Sequence, residues 1–178
     1  MACQTKVVML LILATVALDN VVNTLSAADF DDLVKAAEHQ VKSRGYSSCP
    51  FGWVKYGGRC FTYQAHSLDW ASAEIHCLNR GGHLVSIHSE DEYQLVKAVI
   101  RAHDHDENPT WIGLNGCQKT YNFFWSDGTK LTFTKWNPYE PNARFGECCV
   151  HINWPGSKNW NDIPCHRSYP FVCAKKIH

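Results

Sequence analysis

The sequence has no surplus of charge: Lys and Arg number 17, and Asp and Glu number 17, in a chain of 178 residues. A formal net charge of zero offers no basic stripe for nucleic acid and no like-charged block for an interaction tail. No CxxC pair occurs, so the commonest sequence sign of a zinc site is missing. There is no Gly-rich phosphate loop and no compelling Ser/His/Asp order, so the sequence nominates no catalytic residue and argues against an enzyme. No Asn-x-Ser/Thr acceptor survives, because Asn108 is followed by Pro109. Long apolar runs are scarce as well. The one at Val7 to Leu18 spans twelve residues, against the roughly 20 that a bilayer crossing needs.

That run has the length of an export-signal core. Lys6 precedes it, and the small residues Ser26, Ala27 and Ala28 follow. Residues 1–28 therefore read as a signal peptide. The mature protein is expected to be secreted and extracellular, without membrane insertion. Of nine cysteines Cys3 falls in the signal, and nine minus one leaves eight: Cys49, Cys60, Cys77, Cys117, Cys148, Cys149, Cys165 and Cys173. An even count in an exported chain implies a disulfide framework, and 105 connectivities remain open on spacing alone.

Residues 29–48 read as an amphipathic leader or linker, with Phe30, Leu33, Val34, Ala37 and Val41 on one face. The domain is assigned to 49–176. Two short strands are expected between Trp53 and Gln64, turned at Gly57-Gly58. A helix is expected over Ser67 to Arg80, capped by Ser67, with Leu68, Ala71, Ile75 and Leu78 at helical spacing. His83 to His88 alternates as a strand. Ser89 to Ala102 is a second helix opened by a capping box, Ser89 with Glu92. Beyond His103 the strands shorten: Trp111 to Leu114, Phe123 to Ser126, Val150 to Asn153, Asn159 to Ile163, and Phe171 to Lys175. Trp111, Trp125, Trp136 and Trp154 are expected in the core. Asn137 to Gly146 has two prolines and no periodicity, the pattern of a long functional loop. Two helices among short strands, with a loop-rich second half, make an α+β domain.

Near that loop lie Glu140, Asn142, Glu147, Asn161 and Asp162. These are three carboxylates and two amides, with no Cys or His in the run of donors. Oxygen donors alone suit a hard cation, Ca²⁺ first, which takes ~6–8 of them. His103 to Glu107 is the other acidic and imidazole cluster; it reads as a solvated loop. His151 and His166 read as polar core or surface groups.

Several motifs in order carry a resemblance to the C-type lectin-like domains over Cys49 to Ala174. They are Trp111-Ile112-Gly113-Leu114, Trp125-Ser126-Asp127-Gly128, Glu140-Pro141-Asn142, Glu147, and Trp160-Asn161-Asp162, set among the cysteines. The resemblance implies a C-type lectin fold and the pairs Cys49–Cys60, Cys77–Cys173 and Cys149–Cys165. The remaining Cys117 and Cys148 are paired with each other. That extra bridge resembles the soluble fish lectins and type II antifreeze proteins. Bridges closing loops of this size stabilise by roughly 3–4 kcal/mol each in the chain-entropy model. The resemblance also implies that Glu140, Asn142, Glu147, Asn161 and Asp162 ligate one Ca²⁺ and bind sugar through it, with Glu140–Pro141 cis. Glu-Pro-Asn is similar to the mannose-type pattern. Tyr139 and Phe145 flank the site. A second cation site, found in some relatives, is not expected, since Gly116 and Thr120 offer no carboxylate. The implied partners are terminal sugars of glycans or microbial surfaces, with no nucleic acid. Multivalency would call for a non-covalent homo-oligomer. An ice-binding protein of the antifreeze kind and a protein-binding or toxin-like module of the same fold are the alternatives.

Overall fold

Residues 48–177, together with Asp32 and Lys35, are described by this computed structural model. The signal peptide assigned to 1–28 lies outside them, as does the leader at 29–48 apart from Ser48 and the helical Asp32 and Lys35. Two compact units divide the chain, Met1–Ser47 and Ser48–His178, and every element below belongs to the second.

Gly57 and Gly58 take positive φ of 52° and 75°, the backbone that a tight two-residue hairpin turn demands. They join β1 (Val54–Tyr56) to β2 (Arg59–Leu68). Strand β8 (Tyr169–Lys176) returns antiparallel along β2, from Arg59 opposite Lys176 to Leu68 opposite Tyr169. The start and end of the domain are thus laced together. Between these strands come α1 (Trp70–Leu78), β3 (His83–Leu84) and α2 (Glu90–Arg101). Then follow β4 (Thr110–Asn115), β5 (Phe124–Trp125), a 3-10 turn at Arg144–Gly146, β6 (Cys149–Ile152) and β7 (Asn161–Ile163). The sheet runs β1-β2-β8-β4-β6-β7, with β3 on β8 and β5 on β4. Four bridges hold it: Cys49–Cys60, Cys77–Cys173, Cys117–Cys148 and Cys149–Cys165.

The first helix departs from expectation in two ways. It starts at Trp70, not at Ser67, because β2 keeps pairing as far as Leu68. Asp69, not Ser67, is the cap: its carboxylate accepts from the Ser72 amide at 3.0 Å. Its buried face is also not the predicted one. Ala73 and Cys77 are fully buried, while Ile75 and Leu78 are 57% and 48% exposed. Two anchors set this rotation: the Cys77–Cys173 bridge, and Glu74, which accepts from the Leu84 amide at 2.8 Å.

The second helix follows its sequence signals. Ser89 accepts from the Glu92 amide at 3.2 Å, and Glu92 reaches back to the amide of His88 at 2.8 Å, one residue before the usual capping-box position. Tyr93, Val96, Val99 and Ile100 are buried. The strand expected over His83 to His88 is ladder-paired only at His83 and Leu84. The next residue, Val85, instead bonds Val172 and Gly113 on two neighbouring segments.

Trp111, Trp125 and Trp160 centre the core. Trp125 and Trp136 meet Trp160 edge-on at 5.7 and 5.8 Å between ring centroids. Trp136 is only partly buried, and Trp154, expected in the core, lies exposed. It follows the last residue of the buried strand run, where the chain turns back to solvent through Pro155 and Gly156. Gly113 is required by close approach: a Cβ there would meet the Leu84 carbonyl oxygen at 2.6 Å.

Candidate functional site

The candidate donors come from two segments, the irregular chain that follows Trp136 and the β6–β7 hairpin. In the hairpin, Val150 pairs with Asp162 and His151 with Asn161. The loop cannot run as a strand. Tyr139, Ala143 and Phe145 all take left-handed backbone, with φ of 69°, 52° and 50°, uncommon outside glycine. The Glu140–Pro141 bond is cis.

Glu140, Asn142 and Asp162 are brought together directly. The Asn142 side-chain amide donates to both carboxylate oxygens of Glu140, at 2.8 and 3.1 Å. The carboxylate of Asp162, fully buried, accepts from the Asn142 amide at 3.0 Å and the Ala143 amide at 2.8 Å. Asp162 therefore fastens the loop's backbone to β7. Glu147 follows the 3-10 turn, its amide donating to the Arg144 carbonyl at 2.9 Å. One of its carboxylate oxygens is buried with no hydrogen-bond partner.

The electrostatics are those of crowded anions. Burial first, then Asp162 and Glu147, push the Glu140 carboxyl above its ordinary range, against the lowering pull of the Asn142 bond. Burial and then Asp162 push Glu147 upward as well. Both carboxylates sit where negative charge is disfavoured and a cation would be favoured. The set is not closed, however. Among the described residues, only Cys117, Cys148, Cys149 and Cys165 form a group of three or more His, Cys, Asp or Glu with ligand atoms within 4.8 Å of one another. Those sulfurs are consumed by two bridges. The three carboxylates do not all lie that close to one another. Donor type, the orphaned Glu147 oxygen and the raised carboxyls fit a hard divalent cation.

Asn161 precedes Asp162 on β7 and carries partners of its own. Its side-chain amide donates to Nε2 of His151 at 3.0 Å and to the carbonyl of its neighbour Asp162 at 2.9 Å. His151 is buried, stacked on Tyr169 at 5.2 Å, and its pKa is pushed down to about 3 by burial. The ring is neutral. Sequence reading placed it as a polar core group but gave it no part in the site; its register opposite Asn161 was the missing signal. Tyr121 was also passed over: its hydroxyl donates to the Asn142 carbonyl at 3.2 Å. Tyr139 and Phe145, expected to flank the site, are 98% and 97% exposed. The segment His103 to Glu107 is structural. Asp104 accepts from Asn108, and Glu107 pairs with Lys97 and Arg101.

The family model for the lectin C-type domain matches residues 66–175. The chain is 42% identical over 135 residues to the lactose-binding lectin l-2 of Anguilla japonica, covering 73% of this chain and 80% of that one. It is 37% identical over 166 residues to a type-2 ice-structuring protein of Osmerus mordax, covering 93% and 90%. A solved structure, that of a calcium-independent type II antifreeze protein, matches with a TM-score of 0.67 and 36% identity, covering 74% of this chain and 96% of that one. The chain belongs to the C-type lectin domain family.

Proposed function

We propose that this chain is an exported, Ca²⁺-dependent lectin that binds terminal sugars of glycans or microbial surfaces. One observation carries the reading: the carboxyls of Glu140 and Glu147 are raised by burial and by neighbouring carboxylates, and a Glu147 oxygen is buried unpaired. Buried anionic groups need a charge partner. A relative of this fold is a calcium-independent antifreeze protein, so support for the ion comes from the donors and not from the fold. Glu140, Asn142, Glu147, Asn161 and Asp162 would hold it. Bound Ca²⁺ would supply open coordination positions for two vicinal sugar hydroxyls. Each hydroxyl both donates and accepts. Glu140 would accept a sugar proton and Asn142 would donate one, so the pair would read the stereochemistry of the diol.

Glu-Pro-Asn favours mannose-type sugars, whereas a relative's name points to lactose. Column retention separates them. The protein should stay on immobilised mannose, leave with EDTA, and be displaced by mannose before galactose. Retention without Ca²⁺ overturns the reading. A single exposed site binds weakly, so useful strength would come from several sites in a non-covalent homo-oligomer. A second reading, ice binding, rests on the similarity to an ice-structuring protein. Thermal hysteresis without sugar retention would favour it.

A further inference from the structure

A cleft of about 290 Å³ lies next to the proposed ion site. Its walls include Gly116, Thr120, Tyr121, Phe123, Gly146 and Glu147. Glu147 belongs both to this cleft and to the candidate donor set. Tyr121 joins the two from the other side, since its hydroxyl bonds the carbonyl of Asn142. The cleft has a floor that cannot shift easily. The Phe123 ring presses on Gly116, where a Cβ would meet it at 3.1 Å, and packs at 5.0 Å on Trp136. The Cys117–Cys148 bridge ties the two walls.

We infer that this cleft is a second sugar subsite, which takes the neighbouring pyranose ring of a glycan whose terminal residue sits at the ion. The inference rests on the lectin reading above. The volume lies at the small end for ligand pockets, which suits one ring and no larger group. The lining mixes hydroxyls (Thr120, Tyr121) with an aromatic face (Phe123), as a pyranose with polar edges and C–H faces requires. The lining holds no Lys, Arg or His to pair with a sugar carboxylate, so the ring should be neutral and an acidic sugar should gain nothing there.

Titration calorimetry in saturating Ca²⁺ tests this with methyl α-mannoside, a mannose disaccharide and a sialylated disaccharide; lactose and methyl β-galactoside run in parallel. The neutral disaccharide should bind about 10-fold tighter than its monosaccharide, and the sialylated one should show no such gain. Thr120→Trp, at an exposed loop position, should fill the cleft and bring that ratio within about twofold while Ca²⁺ uptake persists. Tyr121→Phe keeps the wall but removes one lining hydroxyl with its bond to Asn142, so it should lower the ratio less than Thr120→Trp does. Equal affinities in the wild type, or a ratio unchanged by Thr120→Trp, overturn this inference and leave the lectin reading standing. Loss of all sugar binding in the wild type with Ca²⁺ present overturns both.

Discussion

The side-chain amide of Asn161 and the imidazole of His151 face each other across the β6–β7 hairpin at 3.0 Å, both buried. With Nε2 accepting, the ring proton is placed on Nδ1, which is buried without a partner. The ring thus holds one amide hydrogen of Asn161, and through it the rotamer of a proposed ligand. His151→Leu should leave that amide unpaired at a cost of about 1–3 kcal/mol, read as a lower urea midpoint. It should also weaken Ca²⁺ uptake. His151→Gln restores an acceptor and should recover part of both; equal loss in the two variants would count against a positioning role.

Glu147 separates stability from ion binding. Its negative charge is disfavoured by burial and by Asp162. Glu147→Gln should therefore leave the ion-free protein at least as stable as the wild type. In the wild type, Ca²⁺ at 100 times its dissociation constant should add about 2.7 kcal/mol to folding, seen as a rise in Tm that EDTA abolishes. In Glu147→Gln that rise should shrink or vanish. A variant destabilised without Ca²⁺, yet retaining the full rise, contradicts the assignment.

Helix α1 shows what the sequence could and could not tell. Its existence was legible from spacing, but its rotation was not. Leu68, Ala71, Ile75 and Leu78 look like a core stripe, yet a helix of nine residues is turned by its anchors, here Cys77 to Cys173 and Glu74 to Leu84. Local periodicity cannot see such long-range ties. Ile75→Ser and Leu78→Ser should each stay within about 0.5 kcal/mol of the wild type. Ala73→Leu, into a site with no exposure, should cost about 1–3 kcal/mol by overpacking. Unfolding in urea would show the order; a reversed order would place the helix wrongly.

The site was legible to a similar depth. Glu140, Asn142 and Asp162 stand close in sequence or carry side chains that meet the same loop, and the structure joins them by hydrogen bonds. Asn161 was named with them, but the bond of its amide to His151 depends on the register of the β6–β7 hairpin, which spacing does not show. The partnership of Tyr121 with Asn142 joins residues 21 apart, on segments with no shared periodicity, and no pattern in one sequence announces it.

Away from the donor set, Asp127 gives the fold an acid-sensitive point. Burial alone would raise its carboxyl. Bonds from the Ser86 hydroxyl at 2.5 Å and from Thr129, with the charge of Arg59, overcome burial and hold it below the ordinary value. A carboxyl with a depressed folded pKa contributes stability above its unfolded pKa of about 4, and that contribution is lost as pH falls through the lower folded value. Asp127→Asn should cost about 1–3 kcal/mol at pH 7. Well below pH 4 the difference between variant and wild type should narrow, because the wild-type carboxylate is then protonated as well. Urea unfolding at the two pH values measures both gaps, and a gap of constant size would mean that the charge on Asp127 contributes nothing.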